Sequence, residues 1–208
     1  MANLNAPSGL SPVMYRNGNP WNGQTRIYAI AAADTNAYAI GDLVKITAAA
    51  DANGIAVATL ATAGSSVRGV IVGISAAVPM GGVLQGGPVI NPNNLATVTR
   101  PAAAQSTIWY VTVVDDPDVI FEVQEVYSGT AGTATALSKN ANFVYAAPAT
   151  GSNLSGTTLD NTTFNTTATL NFKIISAAQR TDNTPFTLGQ RWWVSINNHD
   201  FSGGTAGV

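Results

Sequence analysis

Cysteine is absent from the 208 residues, so no disulfide braces the fold and no thiolate is on hand for catalysis or metal binding. Charge is scarce too: Asp, Glu, Lys and Arg make up 10% of the chain, against about 25% in an ordinary soluble domain. With nine Lys and Arg against eleven Asp and Glu, the net charge is -2 and no basic stripe exists to neutralise phosphates. Nucleic acid is therefore not an expected partner. Long hydrophobic runs are missing as well. The longest weakly polar stretch, residues 65–78, is broken by Arg68 and falls short of the roughly 20 apolar residues a membrane span needs. Residues 1–7 have neither a charged nor an apolar region of the kind a signal peptide carries, so the expectation is a soluble protein made in a cytoplasm, with no membrane partner.

Helix formers occur only as short alanine runs at residues 31–33, 48–50 and 102–104, each too brief to sustain a helix. What remains is a chain that is 46% hydrophobic, with a polar complement dominated by Thr, Ser, Asn and Gly. Such a surface suits a protein that works against other protein. The strand signals begin at residue 27. Residues 27–30 and 43–47 are short apolar or alternating runs, and Asp51-Ala52-Asn53-Gly54 is a strong turn before residues 55–61. Residues 67–74 read as a further strand, and residues 79–94, rich in Gly, Pro and Asn, as a long loop suited to an interaction. Residues 108–114 and 119–126 alternate on either side of Asp115-Asp116-Pro117-Asp118 and predict a hairpin. Residues 128–167 read as mostly loop, with one strand near residues 143–146. Ala168, Leu170, Phe172 and Ile174 then share one strand face, and Trp192, Val194 and Ile196 another, with Trp193 pointing away.

The fold class expected is all-β, a mainly antiparallel barrel or sandwich with long loops. Residues 27–100 would form a small barrel-like module and residues 101–208 an antiparallel module packed with it, the boundary lying near Pro101. Residues 1–26 show no hydrophobic period, yet they carry Leu10, Met14, Tyr15, Arg16 and Trp21. Large apolar side chains are rare in disordered segments. The expectation is an extended arm, mobile in the isolated subunit and ordered against a neighbour.

Chemistry is thin. Asp115, Asp116, Asp118, Glu122 and Glu125 could hold a cation or supply an acid/base pair. Turn formation explains the same residues, because Asp side chains bond nearby backbone N–H groups and Pro presets φ. The lone His199 has no nucleophile elbow to serve and no cysteine to share a zinc. Gly81-Gly82 and Gly86-Gly87 lack the Lys-Ser/Thr of a phosphate loop. Asn161-Thr162-Thr163 and Asn165-Thr166-Thr167 match the glycosylation sequon but read as turn or edge-strand sequence. Trp193, with no place in the core, is a candidate contact for an oligomer or a ligand.

Several stretches together resemble a family. Ile108-Trp109-Tyr110-Val111-Thr112-Val113-Val114 through Asp115-Asp116-Pro117-Asp118 to Phe121-Glu122-Val123-Gln124-Glu125, then Leu170-Asn171-Phe172-Lys173-Ile174-Ile175, and Trp193-Val194-Ser195-Ile196-Asn197-Asn198-His199-Asp200-Phe201 near the end, look like segments of small structural proteins of tailed bacteriophages. Residues 38–44 followed by 67–74 are similar to the small β barrel of phage head-stabilising proteins. The resemblance is to head decoration, or cement, subunits. It implies a homotrimer that binds the major capsid protein on the outside of the capsid, as part of the virion assembled in the host cytoplasm. It carries over no catalytic residue and no cofactor. A tail or fibre module that recognises host glycan through Trp193 and Tyr110 is the alternative. A glycoside hydrolase using two of Asp116, Asp118, Glu122 and Glu125 comes third.

Overall fold

The strands follow the sequence pattern of β-branched and aromatic residues broken by Gly, Asn and Asp. A computed structural model describes residues 3–76, 99–149 and 151–207. The loop expected at residues 79–94 lies outside these. Five strands close a barrel: β2 (Arg26–Ile30), β4 (Leu43–Ala50), β5 (Ala56–Leu60), β6 (Gly69–Ala76) and β8 (Trp109–Val114), in the order β2-β5-β4-β6-β8. All neighbours are antiparallel except β2 and β5. The β4–β5 turn is built as its residues demand. Asp51 Oδ1 accepts the N–H groups of Asn53 and Ile55, both at 2.8 Å, and Gly54 takes a positive φ of 80°. Tyr28, Ile30, Val44, Ile71, Trp109, Val111 and Val113 fill the barrel.

A second sheet of five strands is wholly antiparallel, in the order β1-β9-β14-β13-β10. Its members are β1 (Ser11–Tyr15), β9 (Val119–Gln124), β10 (Asn140–Ala141), β13 (Phe172–Ala177) and β14 (Arg191–Ile196). Two small ribbons complete the strands: β3 (Tyr38–Ala39) with β7 (Thr99–Arg100), and β11 (Phe143–Val144) with β12 (Thr158–Leu159). The all-β expectation holds. Phe172 and Ile174 are buried, as are Trp192, Val194 and Ile196, so the alternation on both strands was read correctly.

Three expectations need correction. The hairpin over residues 108–126 does not form. β8 pairs with β2 and β6 inside the barrel, while β9 pairs with β1 and β14 in the sheet. The turn at residues 115–118 hands the chain from one layer to the other. Consequently the boundary near Pro101 does not hold either, because β8 completes the barrel from beyond it. One core runs through both layers, with Leu43, Val67, Val70 and Val114 packed with Val119, Phe121, Trp192 and Val194. Finally, the strand expected to begin at Ala168 begins at Phe172, because Asn197 Nδ2 donates to the Ala168 and Leu170 carbonyls, at 2.8 and 3.0 Å, and holds them in a turn.

The arm is the fourth and largest departure. Residues 3–21 dock on their own chain. The Asn3 amide lies among the Thr184, Thr187 and Leu188 carbonyls and accepts the Thr184 N–H at 2.7 Å. Gln124 brackets the next turn of chain, donating to Leu4 O at 2.6 Å and accepting the Ala6 N–H at 3.1 Å. Gly9 crosses Gly41 so closely that a Cβ there would lie 2.6 Å from the Gly41 oxygen. Leu10 is 1% exposed in the shared core, and β1 hydrogen-bonds to β9. The segment needs no hydrophobic period, since edge pairing and amide side chains satisfy its backbone.

Asp42 ties the barrel to the segment beyond β11. Its carboxylate is fully buried and accepts the Ala39 N–H at 2.8 Å and the Ser155 hydroxyl at 2.5 Å. No ion pair reaches it among the described residues, and burial pushes its pKa up to about 6.

Two outcomes follow from these contacts. Leu10→Ala should lower the unfolding free energy in urea by about 2–5 kcal/mol; a loss near zero would mean that the arm is not part of the fold. The raised pKa of Asp42 means that its contribution is full below its unfolded value and is lost as pH rises through about 6. Between pH 3.5 and 7.5 the wild type should therefore lose on the order of 2–3 kcal/mol more stability than Asp42→Asn does. Parallel pH profiles would contradict this.

Candidate functional site

The crossover turn and the loop after β14 meet at one end of the barrel. Asp115 leaves β8 with its side chain turned inward, where Tyr28 Oη donates to Oδ2 at 2.6 Å and Arg26 Nη1 at 2.9 Å. Burial, then the bond to Asp115, pushes the Tyr28 phenol up to about 12, so it stays a donor at any ordinary pH. Asp116 Oδ1 accepts the Asp118 N–H at 2.8 Å, the Asp turn expected from sequence.

Opposite this turn stand Val67, Arg68 and residues 198–203. Val67 donates to Asn198 O and accepts from the Asp200 N–H, both at 2.9 Å, which fixes the loop against the barrel. Arg68 Nη2 and Nε both donate to Asp200 Oδ2, at 2.6 and 3.0 Å. The same guanidinium lies 4.0 Å from the Phe201 ring centroid, and Arg26 stands 5.5 Å from it. His199 is buried, and its Nδ1 accepts the Phe201 N–H at 3.0 Å, which leaves the ring proton on Nε2. Burial first, and the Arg68 charge second, hold its pKa below the ordinary value. It is a structural residue of the turn, as read from sequence.

Between the two loops opens a cleft of about 860 Å³ lined by residues 23–26, residues 115–117 and Phe201. Phe201 is 52% exposed at its mouth.

The five acids of the sequence cluster do not act together. Asp115, Asp116 and Asp118 belong to the turn. Glu122 lies on one face of the sheet and accepts from Arg180 at 2.8 Å, with Arg191 at 3.7 Å. Glu125 follows on the opposite face, buried in the core, where Trp192 Nε1 donates to it at 3.0 Å. Burial raises the pKa of Glu125. Among the described residues no group of three His, Asp or Glu converges as a metal site.

The contact residues expected from sequence scatter. Leu10 is core. Tyr15 and Trp21 pack half-buried against that core, and Tyr15 Oη donates to Asn22 at 2.7 Å and Gln24 at 3.3 Å, beside the cleft. Met14 is half-buried opposite Ile120. Arg16 is exposed, 3.5 Å from Asp118. Trp193 stands apart on the outer face of the sheet, half-buried, opposite Glu122. Tyr110 is buried and donates to Asp51 at 2.7 Å, so it offers no face to a sugar.

Two features escaped sequence reading. Arg68, a charge inside an apolar run, was the visible signal for the Arg68–Phe201 stack. An apolar surface is the other. Val144, Tyr145 and Leu154 are exposed, Tyr145 Oη reaches Ala37 O at 3.3 Å, and Leu154 bridges to Ile40. Tyr145 also lines a hollow of about 320 Å³, together with residues that include Leu60, Ala61 and Phe143. Sequence placed a strand near residues 143–146 but gave no sign that Val144 and Tyr145 stay exposed, and Leu154 falls in a stretch read as loop.

No protein-family model, curated protein or solved structure matches the chain.

Asp115→Ala should cost about 2–3 kcal/mol in chemical denaturation, since it strands the buried Tyr28 hydroxyl. Asp118→Ala, which removes an exposed pair, should cost less than about 0.5 kcal/mol. Equal losses would mean that the two acids are not partitioned as described.

Proposed function

We propose that the chain is a structural virion protein that binds the outside of an icosahedral phage capsid and stabilises the shell by bridging major capsid subunits. The observation that supports this most is the exposure of Val144, Tyr145 and Leu154, with Tyr145 lining a hollow beside Leu60 and Phe143. Exposed apolar side chains on a charge-poor protein favour contact with another protein. Of the acids that could have served catalysis, Glu122 is occupied by arginines and Glu125 by Trp192, Asp115 beside them is held by Tyr28 and Arg26, and Asp116 accepts the Asp118 N–H in the turn. The resemblance of residues 108–125 and 193–201 to phage head decoration proteins points the same way.

On this reading the mechanism is mechanical. A subunit that binds neighbouring capsid proteins together, and not apart, stabilises the shell by mass action. A homotrimer multiplies modest contacts, because the second and third engage at a high effective concentration. No cofactor takes part.

Purified protein should bind mature shells of the tailed phage that encodes it and raise their melting temperature. Leu154→Asp, which puts a charge on the apolar surface, should weaken that binding at least tenfold, about 1.4 kcal/mol. Failure of the wild type to bind shells contradicts the role. Unchanged binding by the variant contradicts the surface.

A further inference from the structure

We infer that the cleft between residues 23–26 and 115–117 is a binding site for a neutral saccharide, with Phe201 as its stacking surface. The inference does not rest on the capsid role.

Its chemistry narrows the ligand. Arg26, on the wall, is already paired with Asp115 at 2.9 Å, and Arg68, stacked on Phe201, with Asp200 at 2.6 Å. No guanidinium is left uncompensated for a phosphate or a carboxylate, and Asp116 on the wall would repel one. A metal cation is disfavoured for the opposite reason. The Asp115 oxygen that faces Tyr28 and Arg26 is saturated by their donors, and the acids here do not converge. A wholly apolar ligand would meet the Arg26 guanidinium beside Phe201, the one aromatic ring of the wall among the described residues.

A sugar ring fits what remains. It offers C–H groups to an aromatic surface and hydroxyls that both donate and accept. Phe201, half exposed, and Pro117 supply the apolar surface. The exposed guanidinium of Arg26 presents donors, and Thr25, Gln24 and Asp116 add a hydroxyl, an amide and a carboxylate. The cleft volume of about 860 Å³ is in the range of ordinary small-molecule sites.

The site is also held in advance. Phe201 is stacked by Arg68 at 4.0 Å, its N–H is fixed on His199, and the loop is bonded to Val67. Gln24 is steadied by the Tyr15 hydroxyl at 3.3 Å. A ligand would not have to order these groups on binding, which lowers its entropic cost. Tyr15, the arm residue singled out from sequence, thus acts on this cleft as a positioning residue.

The experiment is a glycan array of neutral and acidic oligosaccharides probed with the full chain, followed by an NMR titration of the strongest neutral hit. The expected result is selective binding of neutral glycans, with shifts at Gln24, Arg26 and Phe201. Phe201→Ala should weaken that binding at least tenfold. Gln24→Ala, an exposed change that leaves the Arg68 stack intact, should weaken it several-fold at an unchanged melting temperature. No bound glycan, a preference for anionic ones, or binding unaffected by both variants would each overturn the site. Protection of Phe201 by capsid protein, with no glycan bound, would instead make the cleft a protein contact and also overturn it. Shell binding without glycan binding would leave the capsid role standing alone.

Discussion

Four residues, 115–118, carry the constraint on which the structure depends. They join the last barrel strand to a central strand of the sheet, and the valines on either side, Val114 and Val119, are both fully buried in the same core. Each flanking strand is hydrogen-bonded on both of its edges, β8 to β2 and β6, β9 to β1 and β14. The turn cannot flex without pulling a paired strand out of a layer. Asp115 closes the joint from inside through Tyr28 and Arg26. Each large aliphatic side chain in the core contributes about 1.5–3 kcal/mol, and leaving the layers apart would expose Leu43, Val70 and Phe121 together.

The local grammar of this fold was legible in the sequence, and the partners were not. Alternation placed Trp192, Val194 and Ile196 on the buried face and Trp193 opposite, because side-chain direction in a strand depends only on parity. Asp51 to Gly54 announced its turn by backbone chemistry alone. Strand pairing depends on which distant segment covers each edge. Residues 108–114 and 119–126 have the alternation of a hairpin, but β2 and β6 take one and β1 and β14 the other. The arm was misread for the same reason. Asn3, Gln124 and Arg191 hold it by hydrogen bonds between residues more than a hundred positions apart, and such contacts leave no period to detect. The cleft was half visible: the Asp turn and the His199 turn were read as turns, but their meeting across one cleft was not.

The scarcity of charge acquires a physical sense in this frame. Seven of the eleven acids are spent inside or in pairs: Asp42 and Glu125 are buried among neutral donors, while Asp115, Asp118, Glu122, Asp182 and Asp200 are matched to arginines. What faces outward is largely amide, hydroxyl and small apolar side chain. A shell-binding protein with such a surface loses little to desolvation on contact, and a body whose layers share one core transmits load without opening. The proposed capsid role draws on both properties.

Native-state hydrogen exchange tests most directly whether barrel and sheet are one cooperative body. The slowest amides of β6 and β8 and the slowest of β9 and β14 should share one opening free energy, equal to that of global unfolding, and should fall together with added denaturant. If the barrel amides stay protected after those of β9 and β14 have exchanged, the two layers open independently, and the account of the crossover is wrong.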